Sequence, residues 1–217
     1  MAISFPSAAV ATDQNSITLP AHQPGDLIFI FAFRQAAAPP SVPAAGGTVP
    51  TFVTIDAGNG PYNALVTAYA IATSDSHTSG TWTNAAAMCA FVIRGAKTIG
   101  PIGGHGIGGT GFGANQASSP AVTLSKNDGS SAVIHVIGLG DSANTAFSAG
   151  VGGVSAGFTQ QVVGQYGGSN RAVVLGTKNV TTSDSVMGVG GGGPYFLGAT
   201  VEILAADVST TGFFAMF

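Results

Sequence analysis

The chain has 217 residues, and its six Lys/Arg and nine Asp/Glu make it 7% charged with a formal net charge of −3, against about 25% charged residues in an average soluble domain. Such a composition excludes a disordered chain, which needs low hydrophobicity and high net charge. It also excludes a nucleic-acid binder, which needs a basic footprint, because Arg34, Arg94, Lys97, Lys126, Arg171 and Lys178 are scattered singly.

No stretch approaches the roughly 18 apolar residues of a membrane-spanning helix. Met1 to Pro6 lacks the basic region of a signal peptide, so neither membrane insertion nor secretion is expected. With so few charges, the surface must consist largely of Thr, Ser, Asn, Gln, Gly and Ala. That suits a protein packed beside many neighbours, where each charge would cost desolvation.

Taken in chain order, strand signals recur and helix signals do not. Strands are predicted at 16–19, 26–34, 51–55, 63–72, 80–83 and 88–93. A second group follows at 121–124, 132–139, 158–163, 171–180, 185–189 and 195–204. Most are short, β-branched or aromatic, and bounded by Gly, Pro, Asn, Asp or Ser. The run 27–33 places Leu27, Phe29, Phe31 and Phe33 on one face and Ile28, Ile30 and Ala32 on the other. Both faces are apolar, so this strand should be central and covered twice; 132–139 reads the same way. Residues 84–90 include three consecutive alanines, which favour helix, but lack an amphipathic stripe and are read as turn and strand. Cys89, the only cysteine, excludes an intramolecular disulfide and a cysteine-based zinc site; its apolar surroundings predict a buried, inert thiol.

The two strand groups look like copies. Ser16-Ile17-Thr18-Leu19 matches Ala121-Val122-Thr123-Leu124, Ala64-Leu65-Val66 matches Ala172-Val173-Val174, and Thr73-Ser74-Asp75-Ser76 matches Thr182-Ser183-Asp184-Ser185. Between them lies the glycine-rich stretch 100–116, either a flexible linker or a long crossover. Halves of this size bury little surface alone. The expected fold is therefore all-β: one two-layer antiparallel β-sandwich over 1–217, jelly-roll-like, built from similar halves 16–95 and 121–204. Two small β-domains are the alternative. Phe213, Phe214, Met216 and Phe217 give the chain an apolar end, expected to bury itself on its own domain or to form an assembly interface.

Three patterns match chemical motifs on paper. Gly153-Val154-Ser155-Ala156-Gly157 fits G-x-S-x-G, but a hydrolase elbow needs a strand before Ser155 and a helix after it, and a strand is predicted to follow. Gly104-His105-Gly106-Ile107-Gly108-Gly109 and the glycine run from Gly188 to Gly193 fit G-x-G-x-x-G without the helix that would hold a pyrophosphate. Tight turns or close backbone approaches are the expected reading. His22, His77, His105 and His135 show no metal-ligand spacing; His135 reads as a satisfied core or interface residue, and His105 is the one to test for metal. The acids are dispersed and mostly in turns, although folding could assemble a glycosidase pair. Asn179-Val180-Thr181 fits a glycosylation acceptor and is taken as incidental. No catalytic, cofactor or metal residue is assigned, and no cofactor is expected. Trp82 is either a core anchor or, with Tyr62, Tyr69, Tyr166 and Tyr195, a contact for a sugar ligand.

Several segments together carry a likeness: Ile17-Thr18-Leu19-Pro20, Pro24-Gly25-Asp26-Leu27-Ile28, Phe31-Ala32-Phe33-Arg34, Gly80-Thr81-Trp82-Thr83-Asn84, Val92-Ile93-Arg94-Gly95, Asp128-Gly129-Ser130-Ser131 and Ala199-Thr200-Val201-Glu202-Ile203. Over residues 16–204 the chain resembles a group of mostly uncharacterised β-rich virion structural proteins of tailed bacteriophages, of the capsid-decoration or tail-tip and fibre type. It departs from them at Phe52-Val53, which lacks a Gly-Trp turn. The resemblance implies a non-enzymatic virion protein made in the host cytoplasm. Its expected partners are other virion proteins and copies of itself. A carbohydrate-binding or host-receptor module is the alternative, and a hydrolase using Ser155 or an acid pair is the third reading.

Overall fold

The computed structural model describes residues 2–60, 62–108, 116–140, 154–167, 171–178, 182–190 and 195–207. Among them the regular elements are all strands: β1 (Ser4–Thr12), β2 (Leu27–Arg34), β3 (Val53–Asn59), β4 (Ala64–Ile71), β5 (Ala87–Arg94), β6 (Ile102–Gly108), β7 (Gln116–Ser119), β8 (Ser131–Leu139), β9 (Thr159–Tyr166), β10 (Arg171–Lys178), β11 (Met187–Gly190) and β12 (Phe196–Leu204). They form two five-stranded antiparallel sheets, ordered β1-β5-β2-β4-β3 and β6-β12-β8-β10-β9, plus a β7–β11 ribbon.

Period-two alternation explains the layering. Leu27, Phe29, Phe31 and Phe33 point between the sheets, where they meet Cys89, Phe91, Ile134, Val173, Leu175 and Val201 in one core shared by both halves. Ile28, Ile30 and Ala32 point the other way, against Trp82, Phe52 and Ile17 from the overlying loops. Each fully buried side chain of this size contributes about 1.5–3 kcal/mol. The outer face of the second sheet is covered likewise, by Ala117, Met187 and Val189 of the ribbon. The molecule is thus a β-sandwich whose central strands are covered twice. Cys89 is fully buried, and burial pushes its thiol up.

The two sheets are the two halves. Leaving out the ribbon, both run first-fifth-second-fourth-third in strand order. Their stacking is also symmetric. β1 lies on β9 and β3 on β6, β5 faces β10 and β4 faces β12, and β2 faces β8. Each of these contacts has its mate on exchanging the halves, so a pseudo-twofold axis passes between β2 and β8. Leu27 pairs with Ile93 as Ala132 pairs with Ile203, which makes Gly138 the counterpart of Phe33. These two counterparts pack on each other, and a Cβ on Gly138 would run into the Phe33 ring. Two phenylalanines could not share that place, and the axis holds one large residue and one without a side chain.

This connectivity corrects the jelly-roll-like expectation in one respect. Each sheet is completed by its own half, and the chain crosses once, between β5 and β6, rather than alternating between layers. The expected halves also began too late. The segments 16–19, 80–83 and 121–124 are not ladder strands. They cross the outer faces, held by other bonds such as Ile17 N–H to Ser79 Oγ at 2.9 Å and Val122 N–H to Asp184 Oδ2 at 2.8 Å. The first strand of each sheet is instead β1 or β6, and β6 lies inside the glycine-rich stretch expected to be a linker or crossover.

Candidate functional site

The second sheet concentrates the buried polar chemistry, in two clusters on its outer face. Glu202, on β12, has no exposed surface. Its Oε2 accepts the N–H of Gly104 (2.7 Å), the N–H of Ser125 (2.7 Å) and the Ser125 hydroxyl (2.8 Å), while Oε1 accepts the N–H of Lys126 (3.1 Å). Burial alone would raise this carboxyl. The converging donors outweigh it and hold the group below its usual range. A Cβ on Gly103 would strike the carboxylate and one on Gly104 the Thr123 carbonyl. The glycines of β6 are therefore what lets the 120–126 segment close over Glu202.

The second cluster is centred on His135 of β8. Its Nε2 donates to Asp184 Oδ1 at 3.0 Å, and its Nδ1 lies 2.8 Å from the Ser119 hydroxyl and 3.0 Å from that of Thr200. The Thr200 hydroxyl donates to Pro120 O at 2.5 Å, and Phe158 closes edge-on over the imidazole at 4.8 Å. Asp184 is again a carboxyl that burial would raise. The bond to His135, its positive character and the Val122 amide keep it low. Ser119, His135 and Asp184 have the residue types of a hydrolytic triad, with the two imidazole nitrogens exchanged relative to the usual one. Ser119, His135 and the Asp184 side chain have no exposed surface. The cluster clamps the ribbon and the 182–185 turn to the sheet, and a substrate cannot reach its hydroxyl.

Other ionisable groups are spent in the same way. Asp26 is held low first by the Arg94 guanidinium, which donates to it through Nε (2.9 Å) and Nη2 (2.7 Å), and Asp26 also accepts the Gln23 amide. It does more than form the turn expected of it, since it ties the start of β2 to the end of β5. Asp128 accepts the Ser130 amide and hydroxyl, the turn role expected. His77 Nε2 accepts the amides of Thr73 and Ser74, while Nδ1 donates to Thr48 O at 3.0 Å.

The residues singled out from sequence are not brought together. Trp82 is fully buried, its indole N–H donating to Ser79 O at 3.0 Å and its ring edge-on to Phe52. It is a core anchor, and the ligand-contact reading is corrected because no face of the ring is accessible. Phe213, Phe214, Met216 and Phe217 lie outside the described residues, as does Asn179-Val180-Thr181. Ser155 sits in a turn, its hydroxyl accepting the Gly188 amide at 3.2 Å, with no helix behind it. Gly104 and Gly106 of the first G-x-G-x-x-G motif lie along β6, and Gly109 falls outside the described residues. His105 meets Asp56 across the two layers at 3.0 Å. Among the described residues no group of three His, Cys, Asp or Glu could hold a metal ion.

Two surface features remain. Tyr62 and Tyr195 form an exposed edge-on pair, centroids 4.5 Å apart, joining the two halves at one end of the sandwich. Near the opposite end a cleft of about 560 Å3 is lined by Ala2, Ile3, Lys97, Lys126, Asp128 and Asp207 among others. Sequence reasoning missed the His135 and Glu202 clusters. Their hydrogen-bonded members are separated by 16 to 98 residues, and the only signal was ionisable side chains inside otherwise apolar strands. No family model, curated protein or solved structure matches the chain.

Proposed function

We propose that the chain is a structural, non-enzymatic accessory protein of a bacteriophage virion, assembling on the capsid surface or in the tail tip or fibre. The observation that carries this reading is how the scarce charge is used. The carboxylates of Asp26, Asp184 and Glu202 are consumed in fastening loops to strands, and the surface is left mostly to small polar and apolar side chains with scattered single charges. Such a surface suits packing against protein, where each buried charge would cost several kcal/mol. The resemblance of residues 16–204 to phage virion proteins points the same way. Electron microscopy of intact particles tests it: density for the sandwich at a defined copy number is expected, and particles without the chain would overturn it. Deleting residues 213–217 should weaken docking or self-association; unchanged mass by light scattering together with unchanged assembly would remove that segment from the proposal.

A second reading is favoured by Tyr62 and Tyr195. Exposed aromatic rings with polar tips suit stacking on sugars, so the same protein could carry a host glycan contact. Binding of purified protein to host cells, lost in Tyr62→Ala with Tyr195→Ala, would support it; absence of binding by the unaltered protein would remove it.

A further inference from the structure

A sheet in an open sandwich ends in strands whose outward N–H and C=O groups have no partner, and natural proteins protect such edges with charge, bulges or cover. The two sides of this sandwich differ in that protection. On one side β3 carries Asp56 and β6 carries His105, and the two are bonded across the layers. All four edge strands break register once, β3 between Thr54 and Asp56, β6 opposite Val201 to Ile203, β1 between Ser4 and Ser7 beside Pro6, and β9 opposite Leu175 to Gly176, so the two sides differ in charge alone. On the other side β1 reads Ser-Phe-Pro-Ser-Ala-Ala-Val-Ala-Thr and β9 reads Thr-Gln-Gln-Val-Val-Gly-Gln-Tyr, without one charged residue. Among the described residues each pairs with one neighbour only. Val10 and Val163, the exposed large apolar side chains on them, are 37% and 38% exposed.

We propose that the β1/β9 side is the interface with a second copy of this chain, joined by antiparallel edge-to-edge pairing in both layers at once. Two arguments commit it to a second copy. First, β1 and β9 lie on each other, Val10 and Thr12 over Gly164, and both end at one corner, where Asp13 just past β1 accepts the amide of Gly167 just past β9. They therefore run in the same direction, and one twofold axis normal to the sheets makes β1 antiparallel to β1 and β9 antiparallel to β9. Both five-stranded sheets then continue into the partner by a single operation. Second, an isologous pair sets residues near the axis opposite their own copies, so any charge there would face itself, which is destabilising. A strand that pairs with a different protein has no such restriction and can match charge with opposite charge. The absence of charge on both strands is the condition for self-pairing. The guarded β3/β6 side does not repeat the contact, so assembly stops at a dimer. The proposal deepens the assembly role above by naming a partner, and rests on that reading for its setting alone.

Sedimentation equilibrium of the full chain across a wide concentration range tests it. The unaltered protein should have twice the 21.3 kDa chain mass. Val10→Lys with Val163→Lys should raise the dimer dissociation constant at least tenfold. Val53→Lys, on the guarded side, should leave it unchanged. A monomeric unaltered protein, or a folded double-lysine variant that dimerises as before, overturns the proposal. Should the double variant not fold, hydrogen exchange of the unaltered protein decides. Amides of residues 7–12 should gain protection with concentration, and concentration-independent exchange overturns the proposal equally. A dimer from a chain that no particle contains would sink the virion reading and leave this one standing; a particle protein that stays monomeric would do the reverse.

Discussion

On the outer face of the first sheet, β2 and β5 present Ile30, Ala90 and Val92; at the corresponding positions of the second, β8 and β12 present His135, Thr200 and Glu202. All six are buried to within 1%. The task on each side is the same, to fasten a crossing loop segment. In the first half Ser79 captures the amide of Ile17, and the segment lies against Trp82, Phe52 and the apolar strand face. In the second half Asp184 captures the amide of Val122, the residue matching Ile17, and is itself held by His135. One topology accepts either an aromatic anchor or buried ionic clasps, provided every buried polar atom finds a partner. The first solution gains from area and the second from complementarity. They should therefore fail differently.

The sharpest break comes from giving the second half the residue of the first. Glu202→Val installs the counterpart of Val92 but strands the amides of Gly104, Ser125 and Lys126. With about 1–3 kcal/mol for each unsatisfied donor, the expected loss is about 4 kcal/mol or more, read by denaturant unfolding. A variant as stable as the parent would mean that the loop re-forms its bonds elsewhere.

His135→Leu copies the apolar character of Ile30 and leaves the Asp184 carboxylate buried without the imidazole that donates to it, for a loss of about 2–3 kcal/mol. Adding Asp184→Asn should recover part of that loss, a coupling that a double-mutant cycle measures. The same pair gives a sign for acid. Asp184 titrates lower folded than unfolded, so its contribution is fully present above the unfolded value of about 3.9. It is lost as pH falls through the lower native value. Asp184→Asn should flatten stability against pH in that window. An unchanged slope would show that Asp26 and Glu202 carry it instead.

The smallest effect tests the axis. Gly138→Ala drives a methyl into Phe33 and should cost about 1–3 kcal/mol by overpacking. Phe33→Leu in the same chain should relieve part of it. Additive losses in thermal melts would show that the two counterparts do not share one space.

Much of the strand framework was legible from residue patterns. The doubly apolar run 27–33 and its counterpart 132–139 could satisfy both faces only as central strands, and they are. The edge strands were not legible. β1 carries Pro6 and alanines, and β6 carries four glycines in seven residues. An edge strand needs one neighbour and one packed face, so neither alternation nor β-branching is demanded of it. The clusters at Glu202 and His135 were hidden for another reason. Their donors are backbone amides and hydroxyls, which every segment possesses, and no spacing distinguishes the ones that converge.

By itself the sequence determined the all-β class, the pairing of two similar halves and the covered central strands, because alternation of apolar residues fixes which faces must be buried. Tertiary structure alone decided that each half makes its own sheet, that Phe33 meets its counterpart Gly138, that Trp82 is sealed in and that Asp184 and Glu202 hold loops. Those outcomes depend on which distant segments meet in three dimensions, and a carboxylate or an indole acquires its role only from the groups that surround it.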